Sequence, residues 1–237
     1  MPMIDLKNVN IYFEDGTLKS GAVNLMAGYM IGATSIVVDG FTDIVPVGSR
    51  LSIDGDDRYT VVSTMETALA TTTIVFTPGL VAAVVDNDIV IANAVFLAIK
   101  VGEGNITWSE KKPREFKLDR GRLDQVRNAD EVPMDVSFQL MYEELTASSG
   151  DPPTPSDALK RRGAAVDWVS TNPDPCAPFS INIRLDHIPP GCTSFETERV
   201  VIEQFYYESL DHDPKAGTIS CAGKSNKTEA TVTRLTP

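Results

Sequence analysis

The chain has 237 residues, 42% of them hydrophobic and 23% charged, with a formal net charge of −12. That composition is globular and long enough to bury a core without disulfide or metal staples, and no apolar run reaches the roughly 18 residues that a membrane helix needs. The acidity excludes a general nucleic-acid binder unless a basic groove is hidden, and no basic stripe with interleaved aromatics is present.

The opening residues, MPMIDLKNVNIYF, lack the basic-then-apolar pattern of a secretory leader, so the chain is expected to be made and kept in the cytoplasm unless an assembly carries it out. A first strand is expected over 6–13. The stretch 19–93 then changes character: it is rich in Ala, Val, Thr, Gly and Asp, has no Trp, Cys or His, and carries eight acidic against three basic residues. Strands are expected there at 35–38, 50–53, 59–63, 72–76 and 89–92, with turns at Asp39-Gly40, Asp54-Gly55 and Pro78-Gly79. This reads as a small β-barrel, 19–93, inserted into a main domain made of 1–18 and 94–237. With its own core, it is expected to project into solvent.

Strands are next expected at 94–101 and 106–108. The segment 110–133 mixes seven basic and six acidic residues without strand periodicity. It reads as a long loop, and its spacing leaves two readings open: a solvated loop, or one ordered by a partner, where charges of mixed sign fix register. A strand over 134–143 follows. One helix is well signalled: Thr154 as N-cap, Pro155 at the first position, Asp157 in a capping-box-like place, cations from Lys160 to Arg162, and Gly163 as a left-handed stop. Strands at 179–187, 199–208, 218–222 and 229–235 complete the chain, and in 200–207 the alternation blurs as in a strand covered on both faces. The expected fold is all-β dominated, two packed antiparallel sheets in a sandwich or barrel with one flanking helix.

The chemistry of catalysis is represented only by fragments. Gly223-Lys224-Ser225 lacks the glycine a phosphate loop needs five positions earlier, where Thr218 stands. Ser109-Glu110-Lys111-Lys112 has no companion motif. Asp54-Gly55-Asp56-Asp57 breaks the calcium-loop spacing and reads as a turn. Asn105-Ile106-Thr107 and Asn226-Lys227-Thr228 are glycosylation sequons that mean little without secretion. His212, in Asp211-His212-Asp213, reads as part of a polar turn, and His187 as a structural histidine. Trp108 and Trp168 read as core or interface anchors. The three cysteines, Cys176, Cys192 and Cys221, read as small hydrophobes, not as a disulfide or metal framework. No catalytic residue, cofactor or metal ligand is therefore assigned, and the chain is not expected to be an enzyme.

Several segments resemble the tail tube proteins of long, non-contractile-tailed bacteriophages. They are Ile99-Lys100-Val101-Gly102-Glu103-Gly104-Asn105-Ile106-Thr107-Trp108, Leu118-Asp119-Arg120-Gly121-Arg122-Leu123-Asp124, and Pro133-Met134-Asp135-Val136-Ser137-Phe138. Downstream, Gly150-Asp151-Pro152-Pro153, Trp168-Val169-Ser170-Thr171, Cys176-Ala177-Pro178 and 207–221 agree. The likeness covers about 94–237 and the first strand. The insert is a departure and resembles small β modules of phage virion proteins.

The resemblance implies a structural virion protein: six copies form a ring, inner strands join into one barrel around a lumen, and rings stack into the tube that conducts DNA into the host. Its implied partners are itself, the tape measure, terminator and distal tail proteins, and double-stranded DNA passing without specific binding, with no membrane in the mature tube. The implied location is the virion tail, assembled in the host bacterial cytoplasm. The loop 110–133 would reach a neighbouring subunit or ring, which makes Lys111, Arg114, Lys117, Asp119, Arg120, Arg122, Asp124 and Arg127 the expected inter-subunit residues. The alternatives are another ring-forming tail component (terminator or baseplate) and a β-sandwich carbohydrate-binding module.

Overall fold

A computed structural model of the chain describes residues 9–41, 45, 47–67, 71–93, 96–99, 106–119, 122–141, 153–187 and 198–234. Arg120, Cys192, Gly150 and most of the 99–105 run fall outside these residues.

The fold is dominated by antiparallel strands. In chain order they are β1 (Val9–Glu14), β2 (Leu18–Val23), β3 (Ser35–Asp39), β4 (Arg50–Ile53), β5 (Asp56–Thr67), β6 (Thr71–Thr77), β7 (Ile89–Asn93), β8 (Phe96–Ile99), β9 (Ile106–Ser109), β10 (Arg114–Asp119), β11 (Arg122–Asn128), β12 (Met134–Met141), β13 (Ile181–His187), β14 (Glu198–Asp213), β15 (Thr218–Ser225) and β16 (Thr231–Arg234), with one helix, α1 (Pro155–Lys160), between β12 and β13. Eight strands form one sheet in the order β8-β1-β13-β14-β15-β12-β9, with β16 pairing β14. Six form a closed barrel in the order β2-β3-β6-β5-β4-β7. Each strand read from the sequence overlaps one of these; β2, β10 and β11 carried no expectation.

The large sheet is rolled into a half-barrel. β1 and β12 are four steps apart in it, about 19 Å on a flat sheet at ~4.8 Å per strand. Yet the rings of Phe13 and Phe138 meet edge to face at 5.7 Å, and Phe138 lies 5.6 Å from Phe205. Only strong curling brings side chains that far apart along the sheet into contact, so the two walls of one sheet supply the two packed layers. Ile183, Met134, Leu140 and Ile202 fill the interior. The open side is plugged by α1 and a 3₁₀ turn (Gly163–Ala165), which bury Leu159, Ala165 and Trp168.

The helix starts as the sequence implies: the Thr154 hydroxyl accepts from Asp157 N at 3.2 Å, with Pro155 in the first turn. It stops earlier than expected. Arg161, at φ 49°, is the left-handed residue, and Gly163, at φ 56°, begins the 3₁₀ turn instead. Six residues make less than two turns. The early stop lets Arg162 turn back, and its Nε binds the buried Asp157 carboxylate at 3.2 Å.

In the barrel, β3 and β6 follow strict alternation, with inward Ile36 and Val38 on β3 and Thr72, Ile74 and Phe76 on β6. Tyr59 packs edge to face on Phe76 at 5.2 Å. It docks on the outside of the β1–β13–β14 wall through buried charge. Arg184 Nη1 contacts Glu14 Oε1 at 2.7 Å, its Nε lies 3.0 Å from Asp186 Oδ2, and its Nη2 donates to the barrel's Gly48 carbonyl at 2.9 Å. Arg199 joins Asp186 at 2.9 Å and the barrel's Thr60 hydroxyl at 2.7 Å. Glu14, Arg184 and Asp186 are fully buried. Tyr12 lies under the Arg184 guanidinium, 4.4 Å from ring to carbon. This cover explains why 200–207 loses clean alternation; a bulge with Gln204 at φ 50° adds to it.

Candidate assembly surface

Three parts of the described surface stand unpartnered. The first is a four-stranded panel made by β9, β12, β15 and the second half of β14. Its outer face carries a row of small polar side chains in register: Thr107 opposite Ser137, Ser137 opposite Ala222, Ala222 opposite Ser209. Thr107 and Ser137 hydroxyls bond at 2.8 Å. Short side chains leave a shallow depression of about 450 Å³ there, bordered by Gln139, Asp211 and Ser220. The charges on this face are Asp135, Glu208, Asp211 and Asp213 against Lys224, and Glu208 pairs with Lys224 at 3.5 Å. Because the sheet is rolled, this panel faces away from the wall that carries the barrel.

The second part is the pair of panel borders. Among the described residues β9 pairs only with β12. Likewise β13 ends its pairing at Phe205 and β16 at Val201, so β14 from Tyr206 to Asp213 pairs only with β15. Both borders present backbone groups that another strand can use. The sequence reading of Asp211-His212-Asp213 as a turn is corrected here. β14 runs to Asp213 with His212 opposite Ile219, and the turn is 214–217.

The third part corrects the loop reading of 110–133. The segment holds a β-hairpin, β10 paired to β11 as a two-stranded sheet of its own, with Phe116 opposite Val126 and a bulge after Lys117. Phe116, Leu118 and Val126 are all largely exposed. The alternation Phe-Lys-Leu was legible, but the density of charge masked it. Of the expected inter-subunit residues, Arg114 and Lys117 lie exposed on β10, and Arg127 lies on β11 opposite Glu115. Asp119, Arg122 and Asp124 are placed on the two strands by their backbones. Lys111 is engaged within its own chain: its ammonium binds Asp135 and holds that carboxyl below the usual range. The neighbouring Lys112 does the same to Glu229 at 2.7 Å. These two pairs pin the base of the hairpin to β12 and to the segment before β16.

Gly223-Lys224-Ser225 lies inside β15, and among the described residues no cluster of three or more His, Cys, Asp or Glu is arranged to hold a metal. No described helix is long and apolar enough to cross a membrane. The buried Glu14–Arg184–Asp186–Arg199 cluster was not anticipated; its signal was charge at 184, 186 and 199 inside otherwise apolar strands. In comparisons with protein-family models, curated proteins and solved structures, the chain matches none.

Proposed function

We propose that this chain is a structural subunit that closes into rings, six to a ring, and stacks into the DNA-conducting tail tube of a long-tailed bacteriophage. The observation that carries the reading is the panel: four strands, open at both borders, with a smooth polar outer face. A lone copy leaves those borders unsatisfied, and identical neighbours in a closed ring satisfy them. Six panels at about 4.8 Å per strand give a barrel circumference of at least ~115 Å and a diameter of at least ~37 Å, wide enough for a duplex.

The outer face of the panel then lines the lumen. DNA carries one charge per about 1.7 Å of axis, and cation contacts to it release counterions and hold it. A lining of hydroxyls and amides, with four carboxylates against one lysine, offers no such grip, so the duplex slides. The barrel, on the opposite wall, stands on the tube's exterior, where six copies do not obstruct the channel. On this reading the chain works in the virion tail, with other tail proteins at the tube's ends and inside it, and its role is mechanical and not catalytic.

Negative-stain imaging of the concentrated, purified protein tests this. Rings or tubes with an open centre are expected. Featureless monomers at all concentrations would remove the proposal.

A further inference from the structure

Two apolar patches of this chain lie in surroundings of opposite charge. On the barrel, the loops 24–34 and 78–88 are tied together by backbone bonds. Tyr29 N donates to Val84 O at 2.8 Å, Val84 N to Tyr29 O at 3.0 Å, and Gly32 N to Leu80 O at 2.7 Å. So tied, they turn Met26 (95% exposed), Met30 (84%), Ile31 and Val85 to solvent. The barrel stretch around them carries eight acidic residues and three basic ones. The hairpin presents Phe116 (60% exposed), Leu118 and Val126 on its own two-stranded sheet. Residues 114–128 carry five basic residues and three acidic ones.

We propose that the hairpin of one copy seats Phe116 and Val126 on the Met26–Met30–Ile31–Val85 patch of a second copy's barrel. A two-stranded hairpin with an open apolar face is marginal in water and gains from a cover. Methionines adapt their shape to an inserted ring and add sulfur–aromatic contacts. The acidic barrel and basic hairpin attract and set orientation. The contact is heterologous, so each bound copy keeps a free hairpin or patch and the series continues from copy to copy. This rests on the self-assembly reading but adds a contact that closure through panel borders does not require, and it gives the insert a part in assembly.

The test uses full-length Met30→Asp and Phe116→Asp, each on an exposed position, with circular dichroism and melting as controls. Sedimentation velocity compares each alone with wild type, then with an equimolar mixture of the two. Each alone is expected to associate at least tenfold more weakly than wild type. The mixture is expected to form a heterotypic complex, because the Phe116→Asp copy still offers its patch to the intact hairpin of the Met30→Asp copy. If wild type forms rings and both variants associate like it, this contact is wrong and the ring reading stands. If the singles fail and the mixture recovers nothing, the two surfaces are not each other's partners. Wild type that never associates removes both ideas. Should either aspartate variant melt early, Met30→Ser and Phe116→Ser repeat the comparison.

Discussion

Cys221 sits on β15 with its thiol in the core, and burial, with a smaller push from Asp211, raises that thiol to about 12. In a Cys192→Ser background, alkylation at pH 8 is expected to label the exposed Cys176 and to spare Cys221 until the protein unfolds. The raised value also sets a sign. The unfolded chain releases this proton near the ordinary thiol value of about 8.5, while the fold holds it to about 12. Stability therefore falls as pH rises through that interval, by up to about 1.4 kcal/mol per pH unit. Urea titrations at pH 8 and 10 should show a smaller loss for Cys221→Ala than for the parent. Gly223 faces a different constraint: a Cβ there would stand 2.1 Å from the Tyr206 carbonyl, where β14 bulges against β15. Gly223→Ala is expected to cost about 1–3 kcal/mol in denaturant midpoint terms, since neither backbone can yield without repacking. That glycine was visible in the sequence as a failed phosphate loop, whereas its real reason is the close approach of two consecutive strands at the β14 bulge.

At the scale of elements, the plug of α1 and the 3₁₀ turn closes the half-barrel, and Trp168 is its largest buried side chain. Trp168→Ala should lose about 3–5 kcal/mol of unfolding free energy, because the cavity opens against strands that cannot collapse inward. A change of Thr154 to Ala at the N-cap should cost about 1 kcal/mol by comparison. The start of α1 was readable because a cap acts over three residues. Its end was not, because Arg161 takes the left-handed position two residues before the glycine, which lets Arg162 turn back onto the buried Asp157 carboxylate. The hairpin β10–β11 escaped for a related reason. Alternation of Phe116 and Leu118 was present, but with no core to face it lacked the apolar density by which strands are recognised.

For the molecule as a whole, buried charge joins the barrel and the half-barrel among the described residues. Arg184→Met leaves Glu14 and Asp186 in the interior with one cation fewer, and a loss of about 3–5 kcal/mol is expected. Calorimetry should then show the barrel and the large sheet melting in separate steps where the parent melts in one. The lumen assignment makes its own demand. Ser137→Arg with Ser209→Arg should still assemble, since both positions are on the open outer face, but the tubes should retain DNA at low salt and release it as salt rises. Tubes that ignore DNA as the parent does would argue that this face is not the lining.

Local pattern alone established the all-β class, the barrel-forming stretch between β1 and β8, the start of α1 and nearly every strand. All of these depend on period-two alternation, turn residues and caps, which act over a few neighbouring positions. The rolling of the large sheet, the buried arginine latch and the open panel borders were decided by pairings between segments up to 170 residues apart, as between Arg184 and Glu14. No local pattern encodes such pairings, because which strand lies beside which is set by the packing of the whole core.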